Sequence, residues 1–412
     1  MNKEQKRMCL ANGRIMPMAG NDFRFTGSVF IENGKILAVG AHPLLDPDQE
    51  QAALAAALGL EAEIFGADTI LLDCIGQSIL PGFIDAHCHV GIGEEIFQYE
   101  GDDVNEMTDP LTPELRAIDG VNPEDEAFRD ARRGGITALF VCPGSANVIG
   151  GTGAVLKTAG RVVEEMILRE PAGLKAALGE NPKTVYGEQK KLPSTRMGTA
   201  ALLRQAFADA QTYQDKLRQG QKDAEKLPER DLGMENLLLV LEKKMPLRAH
   251  AHRADDIMTA IRIAREFDFD LVIEHCTDGH KIADILAEAG YPAVVGPSLV
   301  NRCKPEVKDK TFRTPGVLAA AGVRVALMTD HGVTPVEQLP LCAALAVKNG
   351  MEYESALRAL TIDAARILGV EDRIGSLEPG KDADIVVWHG EPLSLTAEAV
   401  RVFINGRDVK DE

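Results

Sequence analysis

Pro81-Gly82-Phe83-Ile84-Asp85-Ala86-His87-Cys88-His89-Val90-Gly91 is the stretch on which the fold turns. Pro81-Gly82 is a chain-breaking pair, and the short apolar run behind it ends in two histidines. His87 and His89 stand two apart, so they project from one face of an extended strand, where two imidazoles can grip one cation. Cys88 points to the other side and is expected to pack rather than ligate. Gly91 and Gly93 follow, placing the histidines at the C-terminal end of a strand that opens into a loop.

Beyond this strand, short β-branched runs alternate with Ala- and Glu-rich stretches, the pattern of parallel strands joined by crossover helices. Strands are expected at Ile84–His89, Ile136–Cys142, Leu174–Gly179, Leu247–His252, Leu271–His275, Ala293–Gly296 and Val323–Thr329, with Ala154–Lys157 as a weaker eighth. Eight such units over about 250 residues match a (β/α)8 barrel, whereas an open doubly wound sheet would need fewer. In such a barrel the C-terminal strand ends meet at one rim, where active sites are built. His250 and His252 end one strand, His275 ends another and Asp330 follows Val323–Thr329, so five histidines and an aspartate converge from four strand ends. Neutral imidazoles with a carboxylate suit zinc and similar divalent ions. Asp330 has a second duty, because a carboxylate beside a metal-activated water can take its proton and pass it to a leaving group.

The flanks read differently. From Arg7 to Val39 short alternating apolar stretches are punctuated by Asn12-Gly13 and Asn33-Gly34, both hairpin signals. Residues 48–65 are dominated by strong helix formers and read as a helical insertion without chemistry, ahead of a strand at Thr69–Asp73. The tail from Gly375 returns to strands split by Pro379-Gly380 and Asn405-Gly406. The two ends are expected to pair into one small β-sandwich. The chain is thus an α/β protein with residues 1–80 as the N-terminal part of the sandwich, 81–366 as the barrel and 367–412 as the C-terminal part.

Of 412 residues, 45 are Lys or Arg and 63 are Asp or Glu, a formal charge of -18 that repels nucleic acid and anionic membrane surfaces. The seven cysteines are scattered without paired spacing and read as reduced thiols of a cytoplasmic protein. The N-terminus is too polar for a signal peptide, and no window approaches about 18 uninterrupted apolar residues. The expected partner is a small-molecule substrate, not nucleic acid or membrane. No heptad run marks an oligomer interface, and a homo-oligomer is left open.

The Pro81–His89 motif, the later strand-end histidines, the Thr329-Asp330 pair and the tail Gly375-Ser-Leu-Glu-Pro-Gly-Lys-Asp-Ala-Asp-Ile-Val-Val-Trp388 together resemble the amidohydrolase superfamily of metal-dependent hydrolases. The likeness runs from about Gly34 to Asn405 and is nearest to the branch with imidazolonepropionase-like proteins and prolidase-like dipeptidases and carboxypeptidases. It implies a distorted (β/α)8 barrel with a terminal β-sandwich, one or two divalent metals, zinc foremost, and attack of a metal-activated hydroxide on a carbonyl-type carbon. By the same resemblance His87 and His89 hold the more buried metal, His250 and His275 hold the second, and Asp330 is the metal-contacting base.

The family's bridging ligand is usually a lysine carbamylated by carbon dioxide, or sometimes a glutamate. Ala172-Gly173-Leu174-Lys175 is similar to the carbamylated strand of urease, a member of the same superfamily, which favours Lys175, with Glu180 as the competitor. Deaminases and imidazolonepropionase carry a glutamate three residues after the strand 5 histidine, where this chain has Arg253. That departure favours hydrolysis of a C–N bond in a dipeptide or N-acyl amino acid over a cyclic amide or amidine. The His250-Ala251-His252 arrangement resembles the dipeptidase side, with His252 reaching substrate or polarising its carbonyl. In the loops, Tyr186, Arg196, His280 and Arg302 are candidate substrate contacts, an arginine being suited to a carboxylate. The run Gly150, Gly151, Gly153 reads either as an anion-approaching backbone or as a tight turn.

Overall fold

The computed structural model describes residues 7–20, 23–66, 68–96 and 98–412. Five strands open the chain: β1 (Arg7–Ile15), β2 (Phe25–Glu32), β3 (Lys35–Ala41), β4 (Thr69–Asp73) and β5 (Gln77–Pro81). Asn33-Gly34 turns the β2–β3 hairpin with both residues at positive φ. Asn12-Gly13 makes no hairpin. It lies inside β1, where the register against β2 slips between Leu10 and Gly13. On its other edge β1 serves two partners, β4 along Arg7–Ala11 and β5 along Arg14–Ile15, with the bulge falling between them. The helical insertion is present but short, a helix Gln51–Ala57 and a 3-10 turn Ala62–Ile64. Leu54, Leu58 and Phe65 bury it against Cys9, Ala11 and Phe30.

The barrel strands follow as β6 (Phe83–Cys88), β7 (Ile136–Val141), β8 (Ile149–Lys157), β9 (Ile167–Ala177), β10 (Leu247–Ala251), β11 (Leu271–His275), β12 (Ala293–Val295) and β13 (Val325–Leu327). They form one sheet in chain order. All eight expected strands are there, and one runs the other way: β8 is antiparallel to both β7 and β9. Only residues 142–148 link β7 to β8, whereas a parallel crossover needs about a dozen or more. The glycine run belongs to β8 rather than to a turn or an anion loop. A Cβ on Gly153 would come within 2.6 Å of Phe140 Cζ, so glycine there permits the close approach of β7.

Few groups close the barrel between β13 and β6. The Asp330 N–H donates to the His87 carbonyl at 3.1 Å and the His89 N–H to the His331 carbonyl at 2.8 Å. Asp85 accepts from the Thr329 N–H at 3.2 Å and from the Thr329 hydroxyl. Burial pushes the Asp85 carboxyl up to about 7, against the lowering effect of these bonds. The seam therefore fixes His87, His89 and Asp330 against one another. Inside, an apolar floor of Ile84, Phe140, Val272 and Val294 packs on the helix Ile362–Leu368. Cys88 faces outward into the strand–helix core with Leu139 and Val141, as the period of two requires.

The chain ends with β14 (Ile385–His389), β15 (Glu398–Ile404) and β16 (Arg407–Asp408), which complete the first sheet in the order β16-β15-β14-β5-β1-β2-β3. Both ends of the chain thus share one sheet beside the barrel. Charge pins the two together: Lys157 Nζ, at the end of β8, donates to Asp382 Oδ2 at 2.8 Å, Asp384 Oδ1 at 3.0 Å and Asn405 Oδ1 at 2.6 Å. All seven cysteines are free thiols. Among the described residues no helix is long and apolar enough to cross a membrane.

Candidate metal centre

Alternation along β10 puts Arg248 and His250 on the axial face, and His252 continues the series just past the strand. On β11 the alternation breaks. His275 sits at φ 67°, and this left-handed residue lets both Glu274 and His275 reach the barrel axis. Glu274 Oε2 lies 2.7 Å from His87 Nδ1, while the His87 and His275 rings are 5.3 Å apart.

In His89, His252 and His275 the Nδ1 atom is held and Nε2 is left to face the centre. His89 Nδ1 donates to the Cys142 carbonyl at 2.8 Å and His275 Nδ1 to the Gly296 carbonyl at 2.9 Å. His252 Nδ1 shares a hydrogen bond with Thr277 Oγ1 at 2.8 Å. Asp330 Oδ1 stands 3.2 Å from His89 Nε2 and 3.3 Å from His87 Nε2. Three sets of possible ligand atoms each lie within 4.8 Å of one another: His87, His89 and Cys142; His250, His252 and His275; and His87, His275 and Asp330. Both ring nitrogens of His250 and the Nε2 of His275 are buried without a hydrogen-bond partner. Buried polar atoms are rarely left so, and neutral imidazole nitrogens aimed at a common point fit a divalent cation such as zinc.

The electrostatics favour ligation at His250, His252 and His275. Burial, reinforced by neighbouring positive groups, holds His250, His252 and His275 well below the usual imidazole range, so a cation there competes with few protons. Burial alone would raise the Asp330 carboxyl, but hydrogen bonds with His87 and His89 keep it well below the usual carboxylate range. Asp330 is therefore an ionised carboxylate, and its side chain remains 13% exposed toward the rim.

Beneath these ligands lies a buried charged layer. Lys175 Nζ is 3.3 Å from His87 Nε2 and 3.2 Å from Glu274 Oε2. Arg248 Nε donates to Glu274 Oε1 at 2.7 Å, and its guanidinium stacks on Phe140 at 3.9 Å. Glu180 opens the helix Glu180–Glu188, and its backbone amide donates to Glu306 Oε2 at 2.9 Å. Lys175, and not Glu180, is brought to the histidines.

The loop candidates divide. The Tyr186 hydroxyl is spent within 2.7 Å of the Asp109 carbonyl and beside Asn147 Oδ1. Arg196 Nε bonds both oxygens of Asp256, at 2.9 and 3.0 Å. His280 Nδ1 is held by Thr314 Oγ1 at 3.0 Å. These bonds tie all three to the scaffold. Arg302 Nη2 donates to the Lys310 carbonyl at 3.1 Å, and the residue lines a cavity of about 460 Å³ with Ser298, Asn301, Lys310 and Phe312. Ser298, Lys310 and Thr311 also line a narrow space that reaches His275.

Reading by residue type passed over Arg248, Glu274, Cys142, Glu306 and His331. Two carried a signal: Arg248 is two residues before His250 on the same strand face, and Cys142 stands at the end of an expected strand. Glu306 comes from a loop, and nothing in its local sequence marks it. His331 Nδ1 accepts from the Val336 N–H at 3.1 Å, beside the closing seam.

A family profile described as "Amidohydrolase family" matches residues 78–410. A solved structure described as an amidohydrolase from Thermotoga maritima MSB8 is 46% identical, with a TM-score of 0.89 and coverage of 98% of this chain and 99% of that one. The amidohydrolase tasK of Hapsidospora irregularis is 32% identical over 82% of this chain, which spans only 37% of that protein's length. An imidazolonepropionase of Sphingopyxis alaskensis is 26% identical, covering 93% of this chain and 92% of that protein.

Proposed function

The chain belongs to the amidohydrolase family and is a hydrolase of carbon–nitrogen bonds, and from that premise we propose that it cleaves the amide of a small metabolite such as a dipeptide or an N-acyl amino acid. The observation that carries this reading is the gathering of the Asp330 carboxylate with five histidines at one rim. His87, His89 and Asp330 would hold one divalent cation, zinc foremost, with a carbamylated Lys175 beside it, and His250 and His275 a second. A cation bound there supplies polarisation of the scissile carbonyl and a lowered water pKa.

The chain's own groups do the rest. Asp330 Oδ1, fixed by His87 and His89, is placed to accept a proton and return it to the leaving amine. Arg253, three residues past His250, turns outward and forks onto Asp255 at 2.9 and 2.8 Å, so that position offers no acid to protonate a ring nitrogen. Amide cleavage needs none there. Arg302, in the cavity that adjoins the space at His275, supports recognition of a substrate carboxylate.

A second reading, opening of a cyclic amide, is favoured by the end-to-end likeness to imidazolonepropionase. Metal-loaded protein assayed against dipeptides, N-acyl amino acids and imidazolones separates the two. Turnover of the first two classes is expected, and turnover confined to imidazolones would replace the proposal by the second reading.

A further inference from the structure

We propose that Glu306 is the fourth ligand of the second cation, completing with His250, His252 and His275 a closed four-donor site. This rests on the metal-dependent reading above and extends it, since that reading gives the second cation only His250 and His275, while His252 is expected to reach the substrate and Glu306 has no role.

Glu306 Oε1 lies 3.8 Å from His250 Nε2 and 3.7 Å from His252 Nε2. Donors around a tetrahedral zinc at about 2.1 Å stand about 3.4 Å apart, so a small inward movement brings Glu306 to donor spacing from His250 and His252. The four side chains are 2% to 5% exposed. Four of their ligand-type atoms, both ring nitrogens of His250, Nε2 of His275 and Oε1 of Glu306, have no hydrogen-bond partner. One cation would satisfy three of them, a single His250 nitrogen, Nε2 of His275 and Oε1 of Glu306.

The carboxylate is also aimed. Its other oxygen accepts the Glu180 N–H at 2.9 Å. Gly179, at φ 92°, makes room for it, because a Cβ there would stand 2.7 Å from Oε2. Lys304 Nζ sits 2.7 Å from Oε1 without hydrogen-bond alignment and donates to Asn181 Oδ1 at 2.9 Å. It balances the carboxylate and keeps a partner when a cation takes Oε1. A closed shell on this side leaves substrate chemistry to the cation at His87, His89 and Asp330.

The test titrates metal-free wild type, Glu306→Gln and His252→Asn with zinc against a chromophoric chelator, and records visible spectra of the cobalt-loaded proteins. The amide of Glu306→Gln would retain an oxygen to accept the Glu180 N–H, and thermal melts of the metal-free proteins report folding separately. Wild type should take two ions. Each variant should keep one with unchanged affinity, bind the other about tenfold or more weakly, and shift the cobalt spectrum. If Glu306→Gln fails to fold, His252→Asn decides. Variants that fill both sites like wild type, or a wild type with one ion that neither variant disturbs, overturn the ligand role. A wild type that takes no ion overturns the metal-dependent reading itself, and the ligand role with it.

Discussion

Lys175 Nζ stands 3.3 Å from His87 Nε2, at the base of the metal centre. Burial would favour a neutral amine there, yet the neighbouring Cys142 and Glu274 outweigh it and raise the lysine above its usual range, so the metal-free chain holds an ammonium. A carbamate needs the neutral amine, and its negative charge needs cations beside it. Carbamylation and metal uptake should therefore be coupled. Intact mass under mild conditions is expected to show one added carbon dioxide on metal-loaded protein kept in bicarbonate, and none on metal-free protein or on Lys175→Ala. Normal metal uptake by Lys175→Ala would remove Lys175 from the centre.

Asp330→Asn keeps the shape of the side chain and removes the base, and because it also weakens a ligand of the first cation it is assayed at saturating metal. The expected loss in kcat is about 10²–10⁴, the range assigned to a general acid–base group, with KM little changed. A kcat within about tenfold of wild type would give the proton transfers to another group.

Arg302 lines the cavity beside the space at His275, and its Nη2 donates to the Lys310 carbonyl at 3.1 Å. Arg302→Ala is expected to raise KM for substrates with a free carboxylate and to leave their amidated analogues unaffected. Equal effects on both would make the residue part of the loop's own architecture.

Some of this was legible in the sequence, and the misses have physical causes. The period of two and the strand-end rule located His87, His89, His250, His252, His275 and Asp330, because barrel topology gathers strand ends whatever their separation in sequence. The same period, followed two residues back from His250, reaches Arg248, which pairs with Glu274 below the histidines. Glu274 itself was hidden, since alternation points it away from its neighbour His275 until the left-handed backbone at His275 is known. Direction was illegible for β8, because a β-branched run reads alike either way and the short 142–148 link decides. Tyr186, Arg196 and His280 were chosen by residue type in loops, where nothing local distinguishes a substrate contact from a side chain already held by Asn147, Asp256 or Thr314.

The joint between barrel and terminal sheet gives a prediction in pH. Burial would raise Asp382, but hydrogen bonds from Lys157 and Lys35 hold it down at about 2. With the folded value below the usual 3.8, its stabilisation is full above that value and is lost as pH falls toward 2. Asp384 runs the other way, raised because burial outweighs Lys157. Lys157→Met would leave these buried carboxylates short of a cation, at a cost of about 3–5 kcal/mol near neutral pH. The variant's remaining carboxylates should then titrate upward, so it is expected to regain stability between about pH 7 and 5, where the Asp382 contribution of wild type is constant. Urea midpoints at the two pH values measure this, and an equal deficit at both would contradict it.

Metal content per chain, by inductively coupled plasma mass spectrometry on protein grown with bicarbonate and purified without chelating columns, tests the metal centre most directly. Close to two divalent ions per chain is the expected result. A chain that holds no more than one after reconstitution would contradict a two-cation centre, and one that holds none would contradict metal-dependent hydrolysis altogether.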